Sequence, residues 1–100
     1  MILTVFRSRV KDDAQGVYKA LVPKIVEIAE TMPGFLSRKS FIAEDGERLS
    51  LVAFEDEYSQ RNWAKNADHM AAKEQGRDQF YSEYVVQICK VVRESKFTAP

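Results

Sequence analysis

Residues 40–56 read SFIAEDGERLSLVAFED, and this stretch decides the fold. Asp45-Gly46 stands between two alternating runs of apolar and polar residues. That is the strongest short-range signal for a β-hairpin, because the turn needs a positive φ that glycine adopts at little cost. The arms are expected over residues 35–43 and 47–55, joined by Glu44-Asp45-Gly46. In the second arm Leu49, Leu51 and Ala53 alternate with Ser50, Val52 and Phe54, so each set faces one side of a sheet. The acidic run Glu55-Asp56-Glu57 closes the arm and puts negative charge where a following helix has its positive pole.

Working outward, residues 2–10 alternate and are rich in β-branched and aromatic side chains, which predicts a first strand. Ile2, Thr4, Phe6 and Ser8 share one face; Leu3, Val5, Arg7 and Arg9 share the other. Asp12 or Asp13 offers an N-cap for a helix over about 13–32. Its stripe is Tyr18, Leu21, Val22, Ile25, Ile28, Ala29 and Met32. Pro23 is expected to kink or restart this helix, and Pro33-Gly34 to end it. After the hairpin a helical piece over 58 to about 66 carries Tyr58 and Trp63, and Asp68 can cap a second piece reaching about Gly76. A short turn over 78–82 and a last strand over about 84–94 complete the chain. The order strand, helix, strand, strand, helix, strand predicts one α+β domain over 1–100. It is a ferredoxin-like βαββαβ fold with a four-stranded antiparallel sheet and both helices on one face.

Composition narrows the class. Hydrophobic residues at 45% and charged residues at 30% can support a core and exclude a wholly disordered chain. Lysine plus arginine equals aspartate plus glutamate, so no basic field invites nucleic acid or a membrane surface. No apolar run approaches the roughly 20 residues that span a bilayer, and MILTVFRSRV lacks the form of a signal peptide. Cys89 is single, cannot form an internal disulfide, and suits a reducing cytoplasm.

Two helices cover only one face of a four-stranded sheet, yet the last strand is apolar on both. Val85, Cys89 and Val91 point one way; Val86, Ile88 and Val92 the other. A naked apolar face of several hundred Å² is uncommon on a monomer. A homodimer packed sheet against sheet is therefore expected, the alternative being a C-terminal tail that covers the face through Phe97.

The residues able to carry chemistry cluster between Asn62 and Tyr84. Trp63 is either core or one wall of a ligand pocket, with an indole N–H to donate. His69, the single histidine, can act as general acid or base near neutral pH, or sit at the surface bonded to backbone. One histidine without a second histidine or cysteine nearby makes no metal site. Arg77 can steady an anionic or enolate oxygen, or pair with Glu55 or Asp78. Ser8 and Phe6 on the first strand, Phe54 on the third, and Tyr81 are the expected ligand contacts. Phosphate loops, nucleotide-binding glycine patterns and nucleophile triads are missing from the sequence. An enzyme here works through a cavity with a few polar groups, or through a bound cofactor.

The chain resembles the antibiotic biosynthesis monooxygenase family of dimeric α/β barrels. The likeness rests on residues 40–56, on Trp63, on His69 followed by Ala72, and on GRDQFYSEY at 76–84. The resemblance implies a homodimer and a small-molecule ligand. In one branch of that family, monooxygenases without metal or organic cofactor oxidise polycyclic aromatic substrates to quinones. They use a helix tryptophan and a polar aromatic group six residues on, matched by Trp63 and His69. The asparagine one turn before that tryptophan corresponds to Ser59. Another branch degrades haem with a histidine ten residues after the tryptophan; Lys73 stands there, and its ammonium has no lone pair for iron. Three readings follow: a monooxygenase-like enzyme for a small aromatic or quinone-type substrate, a ligand-binding or stress-response module, and a purely structural dimer whose cavity is filled by rings.

Overall fold

The hairpin turn forms at the expected place. In the computed structural model, which describes the backbone of residues 1–74 and 80–100 and side chains outside 68–79, Gly46 has φ 92°. Its N–H donates to the Ala43 carbonyl at 2.9 Å, and the Ala43 N–H to the Glu47 carbonyl at 2.8 Å. The arms are β2 (Phe35–Ile42) and β3 (Arg48–Phe54). They join β1 (Ile2–Val10) and β4 (Tyr81–Lys90) in an antiparallel sheet of order β2-β3-β1-β4. This is the ferredoxin-like arrangement that the element order predicts.

Helix α1 (Gln15–Thr31) follows a short 3-10 turn, Asp12–Ala14. Neither aspartate is its N-cap. The cap position is Ala14, with no side-chain bond, and the aspartates lie in the preceding turn. The Gln15 side-chain amide reaches back to donate to the Val10 carbonyl at 3.3 Å. Pro23 does not divide the helix; it sits on the exposed face, where the one missing N–H costs least. Helix α2 (Glu57–Glu74) is continuous, where two pieces are expected. The Asp56 carboxylate is its cap, accepting the Ser59 N–H at 2.8 Å.

The last strand starts at Tyr81, three residues earlier than the alternation predicts, and ends at Lys90. Pairing with β1 sets both limits, Val10 opposite Tyr81 and Ile2 opposite Lys90. The register shifts between Arg9 and Val10, so Ser82 is an extra residue that bonds the Arg9 carbonyl through its hydroxyl at 3.2 Å. This bulge reverses the facing of what precedes it. Without it Tyr81 would share the outer face with Glu83; with it Tyr81 joins Val10 on the helix side.

The helix side of the sheet carries Thr4, Phe6 and Ser8 of β1 and Ser50, Val52 and Phe54 of β3, paired in register. One core cluster, Ala14, Leu21 and Phe80, lies under the start of α1 and is joined by Val10, Tyr18, Ile25 and Tyr81. The other face carries Leu3, Val5, Leu49, Leu51, Phe41 and Val85, with Arg7 and Arg9 at one end. There Arg7 pairs with Glu47 at 3.0 Å, and Arg9 with Asp45 at 2.7 Å and Glu83 at 3.2 Å. The tail does not cover this face: Phe97 is 88% exposed and Val85 52%. Among the described residues no helix is long and apolar enough to cross a membrane.

Candidate functional site

Between the helices and the sheet lies a half-open cavity of about 140 Å³. Its floor is Thr4 and Phe6 of β1 with Ser50 and Val52 of β3. One wall is the α1 stripe Tyr18, Val22, Ile25 and Ala29. The opposite wall is Gln60, Trp63, Ala64 and Ala67, one face of α2 at helical spacing. The two alanines beside Trp63 leave the room that a larger side chain would take. Tyr81 and Phe80 close one end, and the exposed Arg38 and Val86 mark where the cavity meets solvent.

Trp63 is held by packing. Its ring lies 5.6 Å from that of the fully buried Phe54, which in turn meets Phe35 at 5.9 Å. Tyr81 is the hub of a ring cluster, with centroids 4.7 Å from Phe80, 5.4 Å from Phe6, 5.6 Å from Tyr84 and 5.8 Å from Tyr18. Burial pushes the Tyr18 phenol up, while nearby Arg48, a hydrogen bond with Tyr81 and the charge of Arg38 pull it part of the way back.

Two buried polar atoms in this lining have no hydrogen-bond partner among the described residues, the Thr4 hydroxyl and the Trp63 indole nitrogen. An unsatisfied buried group costs about 1–3 kcal/mol, so such a pair in one apolar cavity marks a place where a polar ligand atom would be stabilised.

Of the contacts expected from the sequence, Trp63, Phe6 and Tyr81 line the cavity. Ser8 is buried on the same sheet face but is not among the lining residues, and Phe54 stands behind Trp63. The His69 side chain and all of Arg77 lie outside the described residues. Thr4, Gln60, Tyr18 and Arg38 were not singled out. Thr4 and Tyr18 were legible only as members of faces already drawn, whereas Gln60 and Arg38 belong to no face the sequence draws, and their place depends on how α2 and the edge strand meet the rest. Ser59 does not line the cavity; it is buried against Gly34. Among the described residues no group of three metal-ligating side chains occurs.

Among the described residues the lining contains no imidazole that could ligate a haem iron.

An apolar cavity beneath two helices, on a sheet of order β2-β3-β1-β4, defines a ferredoxin-like domain with a candidate ligand site. The sequence profile of the antibiotic biosynthesis monooxygenase family matches residues 1–75, and the chain belongs to that family. It is 31% identical over 93 residues to the uncharacterised protein YqjZ of Bacillus subtilis (strain 168), covering 93% of this chain and 82% of that protein. Rv0793 from Mycobacterium tuberculosis superposes with a TM-score of 0.80 at 13% identity, over 95% of this chain and 98% of that one. A variant of SnoaB, a cofactor-independent oxygenase from Streptomyces nogalater, superposes at 0.75 with 11% identity, over 93% and 94%. At such identities the two structures establish a shared fold and no more.

Proposed function

We propose that the chain is a monooxygenase-like oxidoreductase that oxidises a small aromatic or quinone-type substrate with dioxygen, without a metal or organic cofactor. The supporting observation is the pair of unpartnered polar atoms, Thr4 Oγ1 and Trp63 Nε1, in an otherwise apolar cavity. A phenol oxygen answers both: the indole N–H donates to it, and the threonine hydroxyl accepts its proton or donates in turn. Family membership and the SnoaB likeness favour oxygen chemistry over other uses of the fold.

Size limits the substrate. An engineered apolar cavity of about 150 Å³ takes up benzene, so this one encloses a single ring, and further rings extend through the mouth. Oxidation of a phenol then balances with dioxygen alone. One oxygen atom becomes the second carbonyl of a quinone, and the phenol O–H and one ring C–H supply the hydrogens of a water. The substrate gives four electrons and dioxygen takes four. His69 is the proposed proton acceptor from the phenol, and Arg77 the proposed support for the developing oxyanion.

Oxygen uptake with a panel of phenols and anthrones tests the reading. Uptake above that of Trp63→Phe and His69→Ala variants supports it; equal uptake in wild type and both variants overturns turnover. A second reading, a binding module without turnover, is favoured by one observation: Ser59, at the position of the oxygen-activating asparagine, packs against Gly34 instead of lining the cavity. It predicts thermal stabilisation by quinones with no product.

The same proposal includes a homodimer through the outer sheet faces, supported by the uncovered Phe41 and Val85 and by a tail whose Val92 and Phe97 are almost fully exposed. A cytoplasmic location fits the single free Cys89.

A further inference from the structure

We infer that the cavity takes a single-ring aromatic acid, with its ring among the apolar walls and its carboxylate held by Arg38 and Arg48 at the mouth. The inference rests on the ring-binding reading above and adds the charge of the ligand.

Three arginines have carboxylate partners: Arg7 with Glu47 at 3.0 Å, Arg9 with Asp45 at 2.7 Å and Arg61 with Glu57 at 2.9 Å. Among the described residues Arg38, Arg48 and the tail residue Arg93 have none, and of these three Arg38 lines the cavity and Arg48 stands over the lining residue Tyr18. Arg38 donates only to the Ser40 hydroxyl at 3.3 Å. The Arg48 guanidinium lies over the Tyr18 ring, 5.0 Å from its centroid. Both stand on the helix side of the β2-β3 pair, Arg38 opposite Val52 and Arg48 opposite Ile42. Arg38 and Tyr18 both line the cavity, and both guanidiniums act on the Tyr18 phenol. Arg38 lines the opening and Arg48 stands to one side of it over Tyr18; among the described residues neither has a counter-ion, so both add to a positive field there. The planar guanidinium fork suits a carboxylate in a way that a lysine point charge does not.

Register sets the other end of the ligand. Thr4, Val52 and Arg38 form one row across three strands. Two strand spacings of about 4.8 Å put the backbones at the row ends roughly 10 Å apart, so a benzene ring with polar groups at opposite positions can address one side chain at each end. The deep substituent is then a hydroxyl or carbonyl oxygen facing Thr4 Oγ1 and Trp63 Nε1, and the outer one is the acid. A neutral polycycle answers the deep pair alone and leaves both arginines unused.

Trp63 is the single tryptophan and lines the cavity, so its fluorescence reports occupancy. The full chain is titrated at low salt with 4-hydroxybenzoate and with its neutral amide. The acid is expected to bind at least about tenfold tighter, the scale of a charge-assisted hydrogen bond, and added salt to shrink the difference. Arg38→Gln and Arg48→Gln should each weaken acid binding several-fold and amide binding by clearly less, so that the acid–amide ratio falls, with circular dichroism confirming that the variants are folded. Equal binding of acid and amide, or a preference that survives both substitutions together, overturns the inference while amide binding keeps the ring-binding reading. If neither compound binds, both readings fall.

Discussion

Gly34 lies directly against Ser59, so close that a Cβ at Gly34 would overlap the serine hydroxyl and approach its Cβ to 2.7 Å. The glycine has φ +86°, its carbonyl accepts the Glu55 N–H at 2.8 Å, and the contact locks the end of α1 to the start of α2. Ser59 is thereby committed to packing and turned away from the cavity.

Gly34→Ala combines a left-handed backbone, costing an L-residue about 1–2 kcal/mol, with a steric overlap costing about 1–3 kcal/mol. Denaturant unfolding should show a loss of about 2–4 kcal/mol. The double variant with Ser59→Gly should be more stable than the two single losses added together, because only the overlap is relieved. Strict additivity would mean that the contact is not tight.

Thr4→Val should raise stability while weakening ligand binding. Among the described residues the hydroxyl has no partner, so removing it saves about 1 kcal/mol of desolvation. Thermal melts with and without a bound phenol check both halves. Destabilisation of the empty protein by this change would show that the hydroxyl is satisfied after all.

Ala64→Leu tests the cavity itself. The added side chain enters existing space beside Trp63, so stability should hold or rise and ring binding should vanish. Unchanged ligand-induced Trp63 fluorescence would place binding elsewhere.

Asp56 carries a pH dependence whose sign follows from its bonds. The Ser59 N–H and hydroxyl hold its carboxyl below the usual range. Its contribution is therefore present above the unfolded value of about 3.9 and fades as pH falls toward the folded one. Comparing wild type with Asp56→Ala, the stability gap should be flat near neutrality and close below about pH 4. A gap constant through the acid range would remove the carboxylate from the cap.

Leu51→Glu puts a charge on the outer sheet face opposite Val5 and Lys39. Light scattering should then give the mass of one chain, with helix and strand content unchanged by circular dichroism. A wild type that already runs as one chain would sink the dimer.

Sequence alone settled what depends on near neighbours. Alternation and one Asp-Gly turn were enough for β2 and β3, helical spacing drew the α1 stripe, and Trp63 stood out as the single tryptophan of the chain. What pairing decides was out of reach. The bulge at Ser82, which turns Tyr81 toward the helices, is a property of the pairing of β4 with β1. The row Thr4, Val52, Arg38 exists only once three strands are in register. A lone threonine hydroxyl becomes conspicuous only when folding removes water from it and supplies nothing in return.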